Sequence, residues 1–129
     1  MVKDELESLV VSGKEMDRRL VAEILTPYIR LDRDGCNIRP LEGWNNLKVR
    51  AKILLYLLSR KAMLALDFGL PIEGATAGDV ANDTGLKTGA VNPTLRKLLS
   101  DRLIDQAKDG RYFVPNHAIE RIKTMLGEK

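Results

Sequence analysis

Residues 76–114 read TAGDVANDTGLKTGAVNPTLRKLLSDRLIDQAKDGRYFV. The pattern predicts a short helix, a tight turn and a second, longer helix. Thr76 can cap the first helix with its hydroxyl, and Gly85 can end it because glycine accepts the left-handed conformation at little cost. Three apolar residues at helical spacing predict the buried stripe of the second helix: Val91, Leu95 and Leu98.

A β-hairpin is predicted directly after these helices. Residues 103–107 and 111–114 are strand-like runs, and Lys108-Asp109-Gly110 separates them. Asp-Gly between two such runs is a strong local signal for a hairpin. We therefore expect helix, turn, helix and hairpin in that order.

This succession resembles the winged helix-turn-helix domains of small prokaryotic regulators, such as the MarR and ArsR groups and their archaeal relatives. The matching motifs are Asp79-Val80-Ala81, Thr84-Gly85-Leu86, Val91 followed by Leu95 and Leu98, and Arg102-Leu103-Ile104 leading into the hairpin. They cover about a third of the chain, and the long apolar helix before them extends the match to about Leu47. The resemblance implies a DNA-binding transcription regulator whose hairpin is the wing, although a fold alone does not fix a function.

The chain is predicted to be mainly α-helical with small hairpins, organised as an N-terminal extension (residues 1–46) and a winged domain (residues 47–129). Leu6, Leu9 and Val10 mark a first amphipathic piece of the extension. Ser12-Gly13-Lys14-Glu15 matches a capping box that starts a second helix, which Thr26-Pro27 ends. The apolar face of that helix is predicted at Met16, Leu20, Val21 and Ile24.

The remaining elements follow from turn residues and apolar periodicity. Residues 28–31 and 36–39 flank Asp32-Arg33-Asp34-Gly35, which predicts a hairpin with Gly35 in the turn. Residues 40–46 are expected to be a loop. Asn46 is expected to cap a helix from Leu47 to about Leu66 that is apolar on nearly every side and therefore buried all round. After a loop at residues 67–75 and the winged elements, a last helix is expected to bury Ala118, Ile119, Ile122, Met125 and Leu126.

The composition bounds the class of protein. With 44% apolar and 30% charged residues, the 129-residue chain is typical of an ordinary soluble domain, and 5% aromatic residues argue against a base-stacking platform for single strands. A single cysteine, Cys36, excludes an internal disulfide and favours a reducing compartment. The N-terminus lacks the apolar core of a signal peptide, and no apolar run approaches the ~20 residues that cross a membrane. We expect a cytoplasmic protein without a membrane segment.

The sequence contains only weak matches to motifs for catalysis, metal binding or cofactor binding. His117 is the only histidine, so no zinc site or nucleophile–base pair can be built around it, and we expect it at the surface. A calcium loop that includes Asp32 would need carboxylates where Arg30 and Leu41 stand. Gly85-Leu86-Lys87-Thr88 lacks the spacing of a phosphate loop. We expect no enzyme, metal or cofactor, although the eighteen acidic residues leave a carboxylate site open.

Charge is distributed unevenly along the chain. Residues 1–47 contain seven Lys and Arg against nine Asp and Glu, whereas residues 48–129 contain fourteen against nine. The C-terminal part therefore favours a polyanionic partner. Candidate contacts with double-stranded DNA lie on the second helix of the motif and on the hairpin: Lys87, Thr88, Asn92, Arg96, Lys97, Lys108 and Arg111.

The outward face of the second helix leaves three readings open. With Val91, Leu95 and Leu98 inward, the residues that point outward are Gly89, Pro93, Arg96, Lys97 and Ser100, with Asn92 at the edge. Gly89 and Pro93 offer bases almost no hydrogen bonds, and Asn92-Pro93 could restart the helix. The alternative to DNA binding is therefore a winged protein-interaction module within a larger assembly, and plain solvation of the charges is a third reading. Small regulators of this fold commonly dimerise, which makes the apolar stripes of the first two helices and of the last helix candidate homodimer faces.

Overall fold

The computed structural model describes residues 17–127. These residues form mainly helices with two small antiparallel hairpins, as the sequence predicts. The elements are α1 (Arg18–Leu25), β1 (Ile29–Asp32), β2 (Asn37–Pro40), α2 (Val49–Ala65), α3 (Ala77–Thr84), α4 (Thr88–Ser100), β3 (Asp105–Gln106), β4 (Tyr112–Phe113) and α5 (Ile119–Gly127).

Helix α2 is the centre of the core. It is buried on all sides over most of its length and packs against α1, α3, α4 and β4, which confirms the prediction from its apolar sequence. Its predicted start is wrong. Asn46 ends a 3-10 helix (Glu42–Asn46) that is anchored by the buried Trp44, and Leu47 is extended. An N-cap must directly precede its helix, and Lys48 holds that place without a side-chain cap.

Helix α1 and the first hairpin lie against α2. Asp17 is the N-cap of α1 and accepts a hydrogen bond from the Leu20 amide at 3.1 Å. The predicted amphipathic piece at Leu6, Leu9 and Val10 and the capping box at residues 12–15 lie outside the described residues. Helix α1 ends at Leu25 as predicted, and its buried side chains are Val21, Ile24 and Leu25.

The first hairpin is present, with Gly35 in its turn as predicted. β1 and β2 pair from Ile29 with Pro40 to Asp32 with Asn37. The Asp32 carboxylate accepts hydrogen bonds from the amides of Asp34 and Gly35 at 3.1 and 3.2 Å. Cys36, the last residue of the turn, has a left-handed conformation with a φ of 49°.

The stretch from α3 to α4 follows its local signals closely. Thr76 and Asp79 form a reciprocal capping box at the start of α3, and Gly85 ends it with a φ of 77°. Helix α4 continues through Pro93, so the helix does not restart at Asn92. Its predicted stripe is fully buried: Val91, Leu95 and Leu98.

The second hairpin pairs Asp105 with Phe113 and Gln106 with Tyr112, and Gly110 takes a φ of 89° in its turn. Ala75 adds a bridge to Tyr112 through two backbone hydrogen bonds of 2.8 and 2.9 Å. The loop before α3 is thereby tied to β4.

Helix α5 closes the core against α1. Ala118, Ile119 and Ile122 are buried, and Met125 and Leu126 pack against the same cluster, as predicted for the last helix. The buried residues form one cluster that draws on α1 and the first hairpin as well as on α2 to α5. Among residues 17–127, no helix has the length and hydropathy needed to cross a membrane.

Candidate functional site

One face of α4 is exposed along its whole length. The buried stripe fixes the rotation of the helix, so the residues between its members point to solvent. The exposed side chains on this face are polar, small or cationic: Thr88, Gly89, Asn92, Pro93, Arg96, Lys97 and Ser100. No acidic residue occurs within α4. The structure therefore brings five of the seven predicted contact residues, Lys87, Thr88, Asn92, Arg96 and Lys97, onto or next to one helix.

Few side chains project from the first half of this exposed face. A Cβ added at Gly89 would meet nothing within 4 Å, so packing does not require glycine there. Pro93 lies inside the helix and has no N–H to donate to the Gly89 carbonyl. The surface near the start of α4 thus consists of small side chains and backbone.

The cations of α4 differ in how far they are compensated. The Lys97 ammonium lies 3.4 Å from the Asp101 carboxylate, to which Arg50 also extends at 3.7 Å. The Lys97 side chain is still 69% exposed, and pairs of this kind contribute little because water screens them. Lys87 and Arg96 form no ion pair within residues 17–127. Arg96 is therefore the most available charge on the helix.

The two predicted hairpin contacts are not equivalent. Lys108 is exposed in the turn and has no ion pair within the described part of the chain. The Arg111 guanidinium lies 3.2 Å from the Asp79 carboxylate and 3.5 Å from that of Asp109. Arg111 thus joins the hairpin to the start of α3, and its charge is largely compensated.

Asp79 is held in its charged form by this arrangement. The backbone amide of Thr76 is the main cause that lowers the pKa of Asp79, and the Arg111 and Arg60 charges act in the same direction. Gly74 allows the loop before α3 to lie close to the second hairpin, because a Cβ at this position would lie 2.7 Å from the Cβ of Arg111. The hairpin, α3 and this loop are therefore locked together.

A buried polar network behind α3 was not predicted from the sequence. The Arg60 guanidinium donates to the carbonyls of Ile72, Glu73 and Gly74 at 3.0, 2.8 and 3.2 Å. The Tyr56 hydroxyl donates to the Asp83 carboxylate, and burial, followed by this hydrogen bond, raises the pKa of Tyr56. The only indication of this network in the sequence was the presence of Tyr56 and Arg60 within the largely apolar run of α2. The network attaches α3 and the preceding loop to α2.

Among the described residues, no group of three or more His, Cys, Asp and Glu side chains is placed to hold a metal ion. His117 is exposed, as the sequence predicts.

Comparison of the chain with protein-family models, with curated proteins and with solved structures gives no match.

Proposed function

We propose that residues 47–129 form a winged helix-turn-helix domain that binds double-stranded DNA through α4 and acts as a small transcription regulator. The observation that carries the proposal is the exposed face of α4, which presents Arg96 and Lys97 and contains no acid. The order α3, turn, α4 and hairpin supports the fold, since a helix-turn-helix followed by a β-hairpin is the arrangement expected of it.

The dimensions of α4 are suitable for a groove of DNA. Thirteen residues make a helix about 20 Å long, and the major groove, roughly 12 Å wide, admits an α-helix. Because Gly89 and Pro93 are small, the start of α4 can lie close to the floor of the groove. Arg96 and Lys97 then contact phosphates, and Lys108 on the hairpin contacts the backbone beside the groove.

Arg111 has a different role in this proposal. Its ion pairs with Asp79 and Asp109 keep it from donating freely to a phosphate, so it positions the hairpin relative to α3. The contact set is therefore Lys87, Thr88, Asn92, Arg96, Lys97 and Lys108. Thr88 and Asn92 are the residues of α4 suited to base edges, so we expect a preference among duplexes below about 10³-fold, the low end for specific binders.

The experiment compares two double variants that remove equal charge. Arg96→Ala with Lys97→Ala should weaken binding to every duplex, and it should reduce the slope of log affinity against log salt by about one unit for each lost phosphate contact. Arg19→Ala with Arg39→Ala removes two exposed arginines from α1 and β2 and should leave affinity and slope near those of the wild type.

Fluorescence anisotropy with random and promoter-derived duplexes measures both quantities, and thermal melts establish that the variants are folded. Equal losses in the two variants would show that binding reflects only total charge. No loss in either would contradict a contact through α4.

The small-residue surface at Gly89 and Pro93 also favours a second candidate, a protein-interaction module. It offers a partner helix or loop a close contact without polar side chains to desolvate. This candidate would replace the first if the folded chain bound no duplex at micromolar concentration.

A further inference from the structure

An apolar cavity of about 320 Å³ lies between α1, the first hairpin and the end of α2. Its walls are aliphatic side chains from all three elements, among them Val21, Leu25, Ile29, Leu31, Ala62 and Leu66. The volume lies at the lower end of the range of roughly 300–1,000 Å³ that is usual for small-molecule sites. No residue of α3, α4 or the second hairpin lines it, so the cavity is separate from the face described above.

Two arginines complete the lining, and both reach solvent. Arg18 donates from Nη2 to the Ala65 carbonyl at 3.2 Å. Arg30 donates from Nη1 to the carbonyls of Thr26 and Ile29 at 2.7 and 2.9 Å. These bonds hold each guanidinium beside the cavity and leave several of its five N–H donors unused.

Within the described part of the chain, neither arginine has a carboxylate partner. Among residues 17–127, no carboxylate lines the cavity and no acidic residue forms an ion pair with Arg18 or Arg30. Because Arg18 and Arg30 both line the cavity, an occupant with an anionic group would meet positive charge at its rim, and a carboxylate matches the planar fork of arginine in geometry. An apolar body would fill the rest of the cavity.

We propose that this cavity binds a medium-chain fatty acid, with its alkyl chain among the aliphatic side chains and its carboxylate at Arg18 and Arg30. The described residues of the walls provide no aromatic ring to stack on a planar ligand and no acid to receive a cation. A flexible alkyl chain adapts to such walls, and each buried methylene adds about fourfold to the affinity.

The test is calorimetric titration of the full chain with hexanoate, octanoate and decanoate below their micellar concentrations. Affinity should rise by about fourfold for each added methylene. Decanol and decylamine, which have the same chain without the anion, should bind about tenfold or more weakly than decanoate.

Variants locate the site. Arg18→Gln and Arg30→Gln should each weaken decanoate binding by about tenfold and leave decanol binding unchanged, because only the carboxylate contact is lost. Arg19→Gln is the matched control, since Arg19 is exposed on the same helix and does not line the cavity. Ala22→Leu should weaken every chain length by narrowing the cavity. Thermal melts establish that each variant is folded.

Three titration results would overturn the proposal. They are no heat of binding with millimolar decanoate at either of two temperatures about 20 °C apart, equal affinity for decanoate and decylamine, and a decanoate affinity that does not depend on Arg18 and Arg30. A dimer in light scattering that Ala22→Leu dissociates would assign the cavity to a second copy of the chain and would also reject the fatty acid. None of these measurements involves DNA, so they stand or fall independently of the proposed function.

Discussion

The role of a residue could be predicted from local sequence signals where the residue interacts with near neighbours in the chain. Thr76 and Gly85 take the roles expected of them because a cap depends on residues within one turn. Arg111 shows the opposite case. Its partner Asp79 is 32 positions away, and nothing in the hairpin sequence indicates that the arginine faces α3. The sequence predicted Arg111 as a contact with DNA, and it gave no sign of the ion pair with Asp79 that the structure shows.

The ion pair between Asp79 and Arg111 should make the stability of the fold depend on pH. Because its pKa is lowered on folding from the ordinary value of 3.8, the carboxylate adds stability that is present above about pH 4 and is lost as the pH falls through the lower folded pKa. Asp79→Asn should therefore lower the melting temperature at pH 7, and its effect should decrease as the pH falls from 4 to 3. Thermal melts across this range measure the difference.

Asp67→Asn is the matched control for that series. Asp67 is exposed, has no ion pair within residues 17–127 and occupies a left-handed position with a φ of 60°, which asparagine accepts. The control should melt like the wild type at each pH. A destabilisation by Asp79→Asn that is equal at pH 3 and pH 7 would show that the charge of Asp79 adds nothing.

Helices and hairpins were predictable as elements because periodicity and turn residues report which face is buried. The start of α2 could not be predicted in this way. Residues 42–46 form a 3-10 helix around the buried Trp44, and no simple sequence pattern indicates such a helix. Helix α4 is instructive as well. Proline inside a helix typically costs about 3 kcal/mol, yet α4 runs through Pro93 because its buried stripe holds both halves in register.

The stability of α4 should depend on that stripe. Leu95 is only 1% exposed, so Leu95→Ala should reduce the free energy of unfolding by about 2 to 5 kcal/mol through lost contacts and a residual cavity. Arg96→Ala, at the next residue but exposed, should change it by less than about 0.5 kcal/mol. Urea denaturation of both variants makes the comparison. Similar losses in the two would mean that the rotation of the helix is wrong.

The molecule as a whole is held together by contacts that no local pattern contains. One buried cluster joins α1 and the first hairpin to α2 and α5, and Arg60 attaches the loop before α3 to the same helix. The cationic face of α4 was predictable because helical periodicity fixes which residues point outward. The cavity beside Arg18 and Arg30 was not, since it exists only after α1, the first hairpin and α2 have packed together.

The salt dependence of duplex binding by the wild-type chain tests the proposed function most directly. Four cations carry the contact in our account, Lys87, Arg96, Lys97 and Lys108. Because each neutralised phosphate adds about −0.9 to the slope, log affinity against log salt should fall with a slope of about −3 to −4 for a random duplex measured by fluorescence anisotropy. Affinity for the duplex should also exceed that for a single strand of equal length. A chain that is folded and yet shows no salt-sensitive binding to any duplex at micromolar concentration would contradict the proposal.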